Sequence, residues 1–128
     1  MIVGIGIDII ETARVEHIAS EYGVELTDRL FTEDEVAYCK DKADPAKHYA
    51  ARFAAKEAFL KALGSGLTSG INWRDIEVLR DEFGAPSIKY SGRAAEFAKK
   101  LGVTDVHLSI SHSENYAAAV VVLENRNP

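Results

Sequence analysis

Asp44-Pro45-Ala46-Lys47-His48-Tyr49-Ala50-Ala51-Arg52-Phe53-Ala54-Ala55-Lys56-Glu57-Ala58-Phe59-Leu60-Lys61-Ala62-Leu63-Gly64 is the stretch on which the fold turns. An acid ahead of a proline opens a helix: the acid suits the N-cap, and proline at the first turn lacks only an N–H that would be unpaired anyway. From Pro45 the pattern is helical to Leu63, and Gly64 is placed to stop it. This alanine-rich helix carries an island of positive charge. Residues 47–63 hold Lys47, Arg52, Lys56 and Lys61 against Glu57 alone, with His48 beside them. Residues 1–46, by contrast, carry eleven acids and four bases, and residues 64–128 seven bases and eight acids. A basic island in an acidic chain suits a small anionic ligand; a solvated lysine face is the plainer alternative.

Working outward, residues 2–10 read as a buried strand rich in Ile and Val, and Thr12 to Glu21 as a short helix with Val15, Ile18, Ala19 and Tyr22 at helical spacing. Thr32-Glu33-Asp34-Glu35 is a capping-box pattern that opens a second short helix to about Lys40. Beyond Gly64, Ile76–Arg80 and Ser87–Tyr90 read as a hairpin-like pair, and Ser91 starts a helix reaching Leu101, which Gly102 ends. Val106–Ser111 alternates, with Val106, Leu108 and Ile110 on one face and His107, Ser109 and Ser111 on the other; Tyr116–Glu124 is a last apolar strand. Helices and strands intermix without a βαβ rhythm, so the class is α+β in one domain, 1–128.

The 128 residues suffice for one core. Hydrophobic residues at 47% and charged residues at 27% exclude a disordered or fibrous chain. A net charge of −5 argues against a nucleic-acid partner. Cys39 is the one cysteine, which excludes an internal disulfide and a cysteine-built metal site. The apolar start Met1–Ile10 lacks a basic n-region and is broken by Asp8, and no stretch has the ~20 apolar residues of a membrane span, so the expectation is a cytoplasmic protein with no membrane partner.

Three residues resist a purely structural reading. Asp8 shares a strand face with Ile2, Gly4, Gly6 and Ile10, where a carboxylate is costly unless it is paired or bound to a metal; the glycines leave room for another group to approach the backbone. The alternative is that the strand ends near Ile7. Glu57 falls on the apolar stripe of the long helix, between Phe53 and Leu60, although an exposed Glu57–Lys61 pair at i,i+4 has the same spacing. Two carboxylates on separate elements can hold one hard cation: Mg²⁺ uses one or two carboxylates plus substrate phosphate oxygens. Arg52, Lys56 and Lys61 would then hold other phosphates, and Gly64-Ser65-Gly66 could offer backbone N–H groups to an anion. His112 sits where a strand turns, fit for a phosphate or for capping the turn. These residues admit a Mg²⁺-dependent phosphoryl enzyme using water as nucleophile, and equally a non-enzymatic oligomeric binding module in which Asp8 and Glu57 are ion-pair partners.

The combination of Gly4-Ile5-Gly6-Ile7-Asp8-Ile9-Ile10-Glu11, Arg52-Phe53-Ala54-Ala55-Lys56-Glu57-Ala58-Phe59-Leu60-Lys61-Ala62-Leu63-Gly64-Ser65-Gly66 and Ser109-Ile110-Ser111-His112-Ser113 closely resembles the holo-acyl-carrier-protein synthase family of 4′-phosphopantetheinyl transferases. Ser65 stands where many relatives have threonine. The resemblance covers essentially the whole chain. It implies a mostly antiparallel sheet packed against a long central helix, and a homotrimer with active sites between subunits. It also implies Mg²⁺-dependent transfer of the phosphopantetheine arm of coenzyme A to a serine of acyl carrier protein, releasing adenosine 3′,5′-bisphosphate, in support of fatty acid biosynthesis. By motif position Asp8 and Glu57 would ligate the metal and Lys61 would offset charge in the transition state. Arg52, Lys61, His112 and the Gly64, Ser65, Gly66 loop would lie around the nucleotide phosphates. Glu57 or a metal-bound water would take the serine proton. Arg14, with Ile18 and Arg29, would dock the acidic carrier protein.

Overall fold

The computed structural model describes residues 1–64 and 70–128. Among these residues the helices and strands are, in order, β1 (Ile2–Glu11), α1 (Thr12–Tyr22), α2 (Val24–Leu30), α3 (Glu33–Lys40), α4 (Pro45–Leu63), β2 (Ile76–Arg80), β3 (Pro86–Tyr90), α5 (Gly92–Leu101), β4 (Asp105–His112) and β5 (Tyr116–Glu124). A 3₁₀ turn at Trp73–Asp75 leads into β2. The α+β class, the long helix and the hairpin of β2 with β3 are as the sequence indicates. Helix α2 is an addition. Gly23, at φ 60°, breaks what would otherwise be one helical run from α1.

One sheet has the order β1-β5-β4, all antiparallel, and α4 lies across it. Directly paired residues share a face, so Gly4, Gly6, Asp8 and Ile10 of β1 point the same way as Leu123, Val121, Ala119 and Ala117 of β5. The close fit of α4 to β1 depends on the two glycines. A Cβ on Gly4 would run into the carbonyl oxygen of Ala62, and one on Gly6 into that of Ala58. Alanines at Ala54, Ala55, Ala58 and Ala62 keep the helix side of the contact equally thin, and all four are buried. The room predicted beside Asp8 is therefore taken by the helix backbone.

That packing corrects the expectation of a buried strand. The inward face of β1 is the glycine face; Ile5, Ile7 and Ile9 point away from α4 and are 65%, 62% and 66% exposed. A register irregularity between Ile2 and Gly4 also leaves Ile2 exposed, while Val3 packs on the core. The main core lies between α4, the inner face of β5, and the β2–β3 hairpin with α5, and includes the fully buried Phe59, Ile76 and Val121. Each such side chain contributes about 1.5–3 kcal/mol of transfer free energy. A smaller cluster of Phe31, Cys39 and Tyr49 joins α3 to α4. Burial pushes the Cys39 thiol up to about 11, so it is a packing residue.

Lys56 also departs from its expected role. Its side chain is completely buried, and its Nζ donates to Glu35 Oε1 at 2.6 Å, Leu30 O at 2.8 Å and Trp73 O at 3.2 Å. All three ammonium protons have acceptors, leaving none for a phosphate. Glu35 is the capping-box acid of α3; it accepts from Thr32 N as well, while its other oxygen accepts from Val78 N at 3.0 Å. The pair ties α2, α3, α4 and β2 together. Removing one member would strand a buried charge.

Candidate active site

Strand β1 continues through Asp8 to Glu11, so Asp8 is a strand residue held against α4. Lys61, in the last turn of α4, reaches back over the strand: its Nζ donates to Asp8 Oδ1 at 3.1 Å and to Ile7 O at 3.0 Å. The i,i+4 partner expected for Glu57 is thus engaged elsewhere. Glu57, half-buried one turn earlier, has its carboxyl raised above the usual range, first by burial and then by the negative charge of Asp8, with Lys61 pulling the other way. Asp8, Glu57 and Lys61 are therefore gathered into one electrostatic cluster where β1 meets α4.

Two like charges forced together by backbone packing, with one shared ammonium, form a set that a hard divalent cation would relieve. Among the described residues no group of three or more His, Cys, Asp or Glu side chains forms a full metal cage. A pair of carboxylates leaving positions open for water and phosphate is what Mg²⁺ requires, so the residues fit that ion. Gly64 ends α4 in the left-handed conformation at φ 76°. Ser65 and Gly66, expected beside it, lie outside the described residues.

The remaining basic residues gather on the other flank of α4. Arg52 precedes Lys61 by nine residues, two and a half turns at about 3.6 residues each, so the two side chains leave the helix in opposite directions. Arg52 is only 2% exposed. Its guanidinium lies over the Tyr38 ring, with Cζ 4.1 Å from the centroid, and its Nε has no hydrogen-bond partner among the described residues. Lys42 Nζ lies 4.2 Å from the same centroid. His48 packs edge-on to Tyr38 and stands 6.5 Å, ring to ring, from His112 at the end of β4. His48 has its pKa lowered by burial and then by Arg52, Lys42, His112 and Arg80, all positive. Arg52 and His112 are thus brought to one neighbourhood, and Lys61 to another. Tyr38 and Lys42 escaped the reading of the sequence, which noted His48 only as a neighbour of the basic island; the signal available was Tyr38 three residues after Glu35, which puts it on the α4-facing side of α3.

Arg14 is exposed on α1, beside a groove lined with Ile9, Ile10, Glu11, His17 and Tyr116. Ile18 is half-buried at the edge of an apolar cavity of about 250 Å³ shared with Val15, Leu26, Phe53 and Trp73. Arg29 is exposed on α2. No helix among the described residues is long and apolar enough to cross a membrane.

Residues 4–121 match the model of the 4′-phosphopantetheinyl transferase superfamily. The chain is 49% identical over 124 residues to a holo-[acyl-carrier-protein] synthase of Geobacter sp. (strain M21), covering 97% of this chain and 99% of that one. Among solved structures it resembles the holo-[acyl-carrier-protein] synthase of Neisseria meningitidis, with TM-score 0.88, 35% identity, and coverage of 98% of this chain and 100% of that one. A holo-(acyl-carrier-protein) synthase of Bacillus anthracis, in complex with CoA (3′,5′-ADP), gives TM-score 0.80 and 41% identity, with 98% of each chain covered. The carboxylate pair at the β1–α4 contact thus sits in a chain that matches these enzymes nearly end to end. It belongs to the 4′-phosphopantetheinyl transferase superfamily, among the holo-[acyl-carrier-protein] synthases, and is a transferase.

Proposed function

We propose that the chain transfers the 4′-phosphopantetheine group of coenzyme A to a serine of apo-acyl carrier protein, with Mg²⁺, as a cytoplasmic enzyme of fatty acid biosynthesis. The observation that carries this reading is the crowding of Asp8 against Glu57 beside Lys61 at the β1–α4 contact. Asp8 and Glu57 hold the metal, which supplies charge neutralisation to the diphosphate of coenzyme A. Lys61, already within reach of Asp8, offsets the negative charge that develops on the leaving oxygen. The serine oxygen forms a bond to the phosphorus that carries pantetheine. The P–O bond to the other phosphate breaks, and adenosine 3′,5′-bisphosphate leaves. The serine proton leaves to Glu57, or to a water beside it, as the bond to phosphorus forms.

Coenzyme A carries a 3′-phosphate apart from its diphosphate, and the chain has a second positive cluster to match. Arg52 and His112 bind that phosphate. Since α4 separates them from Lys61, one ligand reaches both clusters by lying between two copies of the chain. The outward face of β1, with Ile5, Ile7 and Ile9 exposed beside Val120 and Tyr116, is an apolar surface suited to that assembly, which we take to be a homotrimer. Arg14, Ile18 and Arg29 lie on the two helices that follow β1 and form the docking face for the acidic carrier, with Arg14 six residues from Asp8.

Incubation with coenzyme A, Mg²⁺ and apo-acyl carrier protein tests the reading by mass spectrometry. The expected result is a carrier heavier by one phosphopantetheine. Cleavage of coenzyme A that proceeds without carrier, leaving its mass unchanged, would overturn it in favour of hydrolysis.

A further inference from the structure

Glu21-Tyr22-Gly23-Val24-Glu25 forms the corner where α1 gives way to α2. Gly23, at φ 60°, makes the bend, and its N–H closes α1 on Ala19 O at 2.8 Å. The inward sides of the two helices are Val15, Ile18 and Ala19 on α1 and Leu26 and Leu30 on α2, which line the apolar cavity. That packing turns the corner outward, leaving Tyr22 58% and Val24 72% exposed. Single exposed apolar residues are common, but two at one corner make a patch. Arg14, Ile18 and Tyr22 recur every four residues, so the patch continues the ridge of α1 that carries Arg14. The charges around it are the wrong ones for an acidic partner. Glu11, Glu16, Glu21, Glu25 and Asp28 are all exposed, against Arg14 and Arg29 towards the two ends. His17 is engaged with Glu21 Oε2 at 3.4 Å. The 3₁₀ turn packed on α2 adds Arg74 and Asp75, which cancel. The face therefore repels carboxylates along most of its length and attracts them at two points.

We infer that this face selects its carrier by apolar contact at Tyr22 and Val24, and that Glu21 and Glu25, which bracket them, work against carriers whose contacting surface is strongly acidic. The partner that fits offers an apolar side chain to the corner, with carboxylates only where Arg14 and Arg29 can meet them. The inference rests on the proposed function, because it takes a carrier protein as the second substrate. Its serine must reach Asp8 and Glu57, and α1 and α2 follow β1 directly, so a carrier seated there meets the corner. The apolar contact supplies affinity, the two arginines orient, and the acids discriminate. Salt screens repulsion as well as attraction. The sign of the salt effect therefore separates this face from one that holds its carrier by charge.

The test is calorimetric binding of apo-acyl carrier protein to the full chain at about 50 and about 300 mM NaCl, with transfer from coenzyme A measured separately. Wild-type affinity is expected to improve with salt or to fall by less than about threefold; a larger fall overturns the inference. Tyr22→Ser should weaken binding at least about fivefold at both salt levels, and Val24→Ser at least about twofold. Glu21→Gln combined with Glu25→Gln should tighten it at least about twofold at low salt, with a smaller gain at high salt. All four side chains are exposed, so an unchanged Tm is expected throughout. Binding by Tyr22→Ser equal to that of wild type overturns the inference, as does a double glutamine variant that binds no better. If Tyr22→Ser melts early, Val24→Ser and the salt series decide. A wild type that does not bind carrier is equally fatal, whereas the expected binding pattern without transfer refutes the proposed function alone.

Discussion

Gly6→Ala is the sharpest test of how the fold builds the site. The added methyl would meet the carbonyl oxygen of Ala58, part of the backbone of α4, so no side-chain rotation can relieve the overlap. The helix must move off the strand, or the strand must bend. Overpacking of this kind costs about 1–3 kcal/mol where side chains can yield, and the upper end applies where only backbone can. For a chain of this size about 3 kcal/mol lowers Tm by roughly 10 °C, out of a total stability on the order of 5–15 kcal/mol. A displacement of α4 also carries Glu57 and Lys61 away from Asp8. Transfer should therefore fall about tenfold or more even at temperatures where the variant is folded. Gly84→Ala is the control: its φ is 83° but nothing lies within 4 Å of the new methyl, so it carries only the left-handed penalty of about 1–2 kcal/mol and leaves transfer intact. Calorimetric melts and the carrier mass assay read both variants. A Gly6→Ala protein with Tm within about 2 °C of wild type and normal transfer would refute the argument.

Other consequences are read more simply. Glu57→Gln should abolish transfer while leaving Tm unreduced, since it removes a half-buried charge that Asp8 opposes; near-normal turnover would contradict the metal role. Arg14→Glu should raise the KM for carrier protein more than that for coenzyme A, as steady-state kinetics with each substrate varied will show. The His48 ring, depressed below its ordinary value of 6.5 by burial and by Arg52, Lys42, His112 and Arg80, should titrate below that value in NMR of the free protein. Adding adenosine 3′,5′-bisphosphate should move it upward, because an anion reverses the sign of the local field.

Much of this was legible because local signals and tertiary demands agree. Asp44-Pro45 and Gly64 bound α4, Thr32 and Glu35 bound α3, and alternation marks β4, each for reasons internal to a few residues. Asp8 and Glu57 stood out because a carboxylate on an apolar face demands a partner. Where the reading of the sequence went astray, the deciding contact lay far away along the chain. Isoleucine-rich β1 looks buried until Ala58 and Ala62 claim its glycine face and turn the isoleucines outward. Lys56 looks like one more surface base until Glu35, Leu30 and Trp73 enclose it. Arg52 and Lys61 look like one basic island because charge counting ignores azimuth; the helix sends them to opposite flanks. Tyr38 carries no charge, so a search for charged motifs passes over it.

The most direct test of the account is a crystal structure of the protein with coenzyme A and Mg²⁺. The account predicts one ion between Asp8 and Glu57 on the diphosphate, with Lys61 alongside, and the 3′-phosphate against Arg52 and His112 of a neighbouring copy. A metal held by other residues, or a coenzyme A whose phosphates all rest on one chain, would contradict it.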